Sequence, residues 1–195
     1  MSNSPPRRAP LDGIRVLDLS RVLTGPWCGQ LLADLGADVV KVERPQGGDD
    51  TRAWGPPNLK DADGKPTSES AYYLCTNRNK RSIAIDIAQP SGQALIRRLA
   101  ARAYVVIENF TPRVLDQLGF SYESLRELRD DLIVVRMPGF GLDGPWRDNA
   151  AFAFVIEDAS GLTWLTGHPD QHPVEPYCIG DSNAGHFSET LIGAA

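Results

Sequence analysis

The residue best placed to do chemistry is an aspartate between two glycines. Asp181 lies in Ile179-Gly180-Asp181-Ser182-Asn183-Ala184-Gly185. A helix is expected to start here, and aspartate is a favoured N-cap, so a purely structural role accounts for it. The same placement suits a nucleophile. Gly180 and Gly185 leave room for a substrate to approach, and a carboxylate can form a covalent intermediate. Both roles stay open on the residues alone. A second candidate is the basic run Asn77-Arg78-Asn79-Lys80-Arg81-Ser82. Its cations could grip phosphates or form a solvated surface cluster. Arg44 follows an apolar run, where an open α/β sheet reads a ribose. An arginine there suits a phosphorylated ribose, and a solvated side chain is the alternative.

Other groups argue against metal and redox chemistry. His168 and His172 have the spacing of a helical ligand pair, but Pro169 and Pro173 break such a helix. No third ligand stands at a convincing spacing, so no metal is expected. His186 is expected to pack or cap. Cys28, Cys75 and Cys178 are odd in number and widely spaced, without C-x-x-C. They read as reduced, mostly buried thiols. Trp54, Trp146 and Trp164 could line a pocket or simply fill a core.

The elements that must hold these residues follow a repeated pattern. Ile14 to Leu19 predicts a strand. Gly25-Pro26 opens a helix with Trp27, Leu31, Leu32 and Leu35 at helical spacing, and Gly36 closes it. Val39 to Glu43 predicts the next strand. The rhythm recurs in a strand at Ser82 to Ile87, then a helix whose apolar stripe is Leu95, Ile96, Leu99 and Ala100. A strand at Val105 to Glu108 comes next. Thr111-Pro112 opens a short helix ended by Gly119, Ser121 caps another with Leu125 and Leu128 inward, and Leu132 to Val135 is a further strand. Ala151 to Gly161 predicts a helix, and Asp181 opens the last one. Alternating strands and helices imply an α/β domain with a Rossmann-like open parallel sheet and flanking helices. The first strand–helix turn lacks G-x-G-x-x-G, so it carries no dinucleotide fingerprint. Two stretches break the rhythm: Pro45 to Ser70, expected to be functional or mobile, and Gly139 to Asn149.

Bulk properties bound the function. The chain has 195 residues and a net charge of -5, so no global basic field draws nucleic acid or an acidic membrane. An anionic ligand needs local cations and backbone amides. No apolar run has the length of a membrane span. Residues 1–10 are polar and proline-rich, without the apolar core of a secretory signal, and are expected to be a flexible tail. Residues 11–195 form the predicted domain. Gly185 to Ala195 reads as a helix still in progress, with no capping glycine or proline after it, as expected of a truncated or split chain.

Several runs, in order and spacing, resemble class III coenzyme A transferases. They are Pro10 to Leu19, Leu31 to Glu43, Asn79 to Ser82, Glu108 to Phe110, Gly139 to Gly141, and Gly180-Asp181 with Gly185. This family includes L-carnitine and bile-acid CoA transferases, formyl-CoA transferase and α-methylacyl-CoA racemase. The resemblance implies the CoA-binding large domain of an interlocked homodimer, cut before the small domain. It implies transfer of CoA from an acyl-CoA donor to a carboxylic acid acceptor, with a mixed anhydride and then an aspartyl-CoA thioester on Asp181. It places Arg21, Val22, Thr24, Arg44, Lys80, Asn109 and Phe110 around CoA, and Leu23, Trp54 and Phe140 around the acyl group. No tightly bound cofactor is expected, since CoA is the substrate, and the compartment is expected to be the cytoplasm. Departures narrow the activity. Leu23 replaces a glutamine of formyl-CoA transferases, Gln117 a CoA-contacting arginine, and Phe152 the basic histidine of the racemases. Racemisation on the same scaffold is thereby disfavoured. A catalytically incomplete CoA-binding fragment is the remaining alternative.

Overall fold

The computed structural model describes residues 8–195. Residues 1–7 of the expected tail lie outside the described residues. By Leu11 the chain is already anchored, with its amide bonded to the Leu35 carbonyl.

The strands are β1 (Arg15–Asp18), β2 (Asp38–Glu43), β3 (Asn58–Lys60), β4 (Pro66–Ser70), β5 (Arg81–Ala84), β6 (Val105–Glu108) and β7 (Ile133–Arg136). Five of them form one sheet in the order β5-β2-β1-β6-β7, and every neighbouring pair is parallel. In chain order they run third, second, first, fourth, fifth, the order of a doubly wound sheet. The apolar runs of the inner strands β1, β2 and β6 are buried because both faces of the sheet are covered there, while the edge strand β5 is exposed. On β1, Val16 packs with Cys28 and Leu32 on one side, while Leu17 packs with Ile96, Leu115 and Leu125 on the other.

The helices are α1 (Thr24–Asp34), α2 (Ala71–Asn77), α3 (Pro90–Ala100), α4 (Pro112–Gln117), α5 (Tyr122–Arg126), α6 (Ala153–Ala159), α7 (Leu162–Leu165) and α8 (Ile179–Ala194). Gly36 takes the left-handed conformation expected after α1, with φ of 100°. On α3 the expected stripe is narrower than read: Ile96 and Ala100 are fully buried, but Leu95 faces outward. Only Cys28 of the three thiols is buried; Cys178 is partly covered and Cys75 exposed.

The stretch Pro45 to Ser70 is ordered rather than a plain loop. It holds a 3-10 turn at Asp50–Ala53 and the β3–β4 hairpin. Glu43 organises it: its carboxylate accepts from Arg52, Tyr73, Ser82 and the Asp49 amide. Burial opposes ionisation of Glu43, yet these donors hold its carboxyl far below the ordinary range. Helix α2 then starts at Ser70, whose hydroxyl accepts from the Tyr73 amide at 3.0 Å.

A second buried network underlies the sheet edge. Lys80 Nζ donates to Asp18 Oδ2 at 2.9 Å, Pro26 O at 2.7 Å and Asn77 Oδ1 at 2.9 Å. Its side chain is 2% exposed. Burial opposes ionisation of Asp18, but the Lys80 and Lys41 ammoniums and the Ser20 hydroxyl outweigh it and hold the carboxyl below its usual range. With its folded pKa depressed, Asp18 contributes stability above the ordinary carboxylate range and loses that contribution as pH falls. Lys80→Ala leaves the buried Asp18 without its ion-pair partner. The expected loss is about 3–5 kcal/mol, measured by equilibrium urea unfolding at neutral pH.

Candidate active site

The strand order reverses at β1, which lies between β2 and β6. Ligands of such sheets sit in the crevice beyond the strand ends at this point. The turn leaving β1, from Ser20 to Leu23, is held from beneath. Lys41 Nζ donates to Ser20 O at 2.9 Å and pairs with Asp49 at 2.9 Å, each side chain 1% exposed. Asp49 Oδ2 accepts from the Val22 amide at 3.2 Å. Asn109 clasps Arg21 through both backbone groups, at 2.8 Å each. These bonds keep Val22 at φ of 68°, a conformation that is uncommon and strained for a β-branched residue.

Thr24 follows this turn and begins α1. Its hydroxyl donates to Asp181 Oδ1 at 2.6 Å. Asp181 is not the expected N-cap. Helix α8 begins at Ile179 with Cys178 as its cap residue, so Asp181 is third in the helix and turns toward α1. Gly185, about one turn on, makes this possible. A Cβ there would lie 2.5 Å from Thr24 O and 3.1 Å from Trp27 Cδ1. Partial burial pushes the Asp181 carboxyl up. The Thr24 bond draws it down, Glu157 adds an upward push, the Ala153 amide draws it down, and the net shift is upward.

Asp181, Arg21, Val22, Leu23, Thr24, Asn109 and Phe110 all line one cleft of about 520 Å³. Phe152 and Ile156 of the α6 segment face the same space. An adjoining cavity of about 370 Å³ holds Arg44 with Ile85, Ile87 and Leu118, and shares Arg21, Phe110 and Val114 with the first. Asp50 bridges the two arginines, accepting from both Arg21 and Arg44. Arg21 Nε is buried and has no acceptor among the described residues.

The structure leaves three of the candidate residues outside this space. Lys80 is sealed against Asp18 as described, so it offers no free ammonium to a ligand in this conformation. Its neighbours in the basic run are also occupied, Arg78 with Asp34 and Arg81 with Asp38. Trp54 stacks edge-on against Tyr72 at 5.2 Å. Phe140 stacks against Trp146 at 5.5 Å and lines a separate open depression. His186 is exposed rather than packed. No group of three or more metal-ligating side chains exists among the described residues.

Sequence reasoning missed four contributors. Asp49 and Asp50 follow Gly47-Gly48 after a strand, and that paired-glycine, paired-acid pattern was a usable signal. Tyr72 lies near the site: burial, then the charge of Asp181, pushes its hydroxyl up. Glu157 follows the apolar run Phe154-Val155-Ile156 and precedes Asp158.

The model of CoA-transferase family III matches residues 11–195. The succinate–glutarate CoA-transferase of Agrobacterium fabrum is 50% identical over 196 residues, covering 100% of this chain and 49% of that protein. The succinyl-CoA–D-citramalate CoA-transferase of Chloroflexus aurantiacus is 44% identical over 188 residues, covering 96% of this chain and 44% of the relative. Among solved structures, a CaiB/BaiF family protein from Brucella suis superimposes with a TM-score of 0.89 at 44% identity, over 96% of this chain and 49% of that one. The chain thus spans about half the length of these relatives. A parallel sheet of this order, a matching family model along almost the whole chain and relatives at this identity lead to one assignment: the chain belongs to CoA-transferase family III.

Proposed function

We propose that the protein containing this chain transfers coenzyme A from an acyl-CoA to a carboxylic acid, with Asp181 as the nucleophile. The observation that carries this reading is the Asp181 carboxylate itself. It lines the cleft, and one oxygen is fixed by Thr24, leaving Oδ2 to attack. That oxygen forms a bond to the thioester carbonyl carbon, the C–S bond breaks, and CoA leaves as the thiolate. The resulting mixed anhydride is reopened by CoA at the aspartyl carbonyl, giving an aspartyl-CoA thioester and freeing the donor acid. The acceptor carboxylate then attacks the aspartyl thioester and expels CoA as the thiolate, and the thiolate attacks the acceptor's acyl carbon in the new anhydride, releasing acceptor-CoA and the free Asp181 carboxylate. Holding Asp181 in one geometry, in a half-buried setting, is the protein's contribution.

Arg21, Arg44 and the amides near Val22 and Thr24 form the anion-binding side. Asn109 lines the first cavity, and Phe110 is shared by both. The relatives named for succinyl and glutaryl transfer support a dicarboxylic substrate, with succinyl-CoA and glutarate as the first pair to try. Leu23 lines the cleft as an apolar group, consistent with an acyl chain longer than formyl. Phe152 lies in the cleft wall without a proton acceptor, which favours transfer over racemisation. Trp164, Leu165, Tyr177, Phe187 and Leu191 are exposed apolar side chains; they support assembly with a second copy of the chain, as a homodimer. We place the protein in the cytoplasm on the same grounds of family and thiol chemistry. No helix among the described residues is long and apolar enough to cross a membrane.

Asp181→Asn in the full-length protein is expected to lower CoA transfer by roughly a thousandfold or more. In the wild type, hydroxylamine added during turnover should mark the Asp181 peptide by mass spectrometry. Retained transfer in the variant rejects the nucleophile reading. Thr24→Val removes a bond that favours the charged carboxylate, so the Asp181 pKa should rise further. The acid limb of kcat/KM then moves to higher pH, and Thr24→Ser restores it.

A further inference from the structure

Helix α6 faces mostly outward at Phe154, Val155 and Asp158, yet one acid on it is sealed. Glu157 is 2% exposed. Its Oε1 accepts the Gly180 amide at 2.9 Å, and Gly180 directly precedes Asp181. Its Oε2 is buried and has no hydrogen-bond partner among the described residues. A buried carboxylate oxygen left without a donor is unfavourable. Among the described residues no cation offsets it in the direction of Asp181. The groups that face Asp181 are the Thr24 hydroxyl from α1, the Ala153 amide from the start of α6, the Tyr72 phenol from α2 and the Cys178 thiol before α8. Arg136 of β7 is engaged by Glu108 at 2.9 Å.

We propose that Glu157 is a positioning residue for Asp181: it fixes the Gly180 amide and sets a like charge behind the nucleophile, so that acylation of Asp181 relieves the repulsion. This rests on the reading of Asp181 as the nucleophile. When an Asp181 oxygen bonds to the acyl carbon and the C–S bond breaks, the negative charge passes from the carboxylate to the departing thiolate. The carboxylate pair becomes one charge beside a neutral anhydride. Carboxylates crowded together favour the state in which one of them is neutral. The Gly180 bond keeps the N-terminal end of α8 from drifting while this happens.

The test uses the full-length protein with succinyl-CoA and glutarate. Glu157→Gln keeps an acceptor for the Gly180 amide and removes the charge. The acid limb of kcat/KM should move to lower pH, because a cause of the raised Asp181 pKa is gone. The acylation burst should slow roughly three- to tenfold, with a weaker nucleophile. Glu157→Ala also frees the amide and should slow the burst further. An acid limb in the Gln variant that stays put or moves up overturns the proposal. Should neither variant fold, the wild type still decides: an acid limb at or below the ordinary aspartate range overturns it. If Asp181→Asn is inactive while Glu157→Gln behaves as wild type, only the role of Glu157 falls. If Asp181→Asn retains transfer, the nucleophile reading falls first.

Discussion

Lys41 and Lys80 have almost no access to water, and each is matched by an aspartate, Asp49 and Asp18. Together they bolt down the turn after β1. Lys41 holds the Ser20 carbonyl, Asp49 the Val22 amide, and Asp18 the Ser20 amide. Buried ion pairs of this kind are poor sources of net stability, and apolar replacements often match them. What apolar side chains cannot do is pin backbone groups in a strained turn. Arg21, Val22 and Leu23 reach the cleft from that turn, and Thr24 inherits its position from it. A shift there would carry through to Asp181.

Thr24 and Asp181 are separated by 157 positions in the chain. They meet because α8 lies directly against α1, and they can do so only where a glycine removes the side chain between the helices. The nucleophile is therefore placed by helix packing rather than by its own loop. That is why its burial, and the pKa that follows from burial, are properties of the packed domain.

Much of this was legible in the sequence. Strands buried on both faces announce themselves as continuous apolar runs, as Val105 to Glu108 does. Helices bounded by proline and glycine, such as that from Thr24 to Asp34, are equally plain. Asp181 stood out through its flanking glycines and through family motifs. Helix α2 was missed because Tyr72 and Tyr73 have no helical signature of their own, and the Ser70 cap was hidden in a polar run. The basic run was left open between two roles for a different reason. A charge cluster looks alike whether or not its partners are near, and Asp34, Asp38 and Asp18 lie 44, 43 and 62 positions away. Glu157 left only a faint trace, an acid following an apolar run, because the Gly180 amide that explains its burial comes from another helix.

The Asp50 bridge bears on how a ligand finds this crevice. Two guanidiniums and one carboxylate leave a single net positive charge where the bare arginines would have two. At distances beyond a Debye length, about 8–10 Å in physiological salt, such a cluster draws anions only weakly. Recognition is then decided at close range, by exchange: an arriving phosphate must take over the hydrogen bonds that Asp50 holds. The crevice is thus partly neutralised from within, and its discrimination among anions lies in geometry more than in long-range attraction.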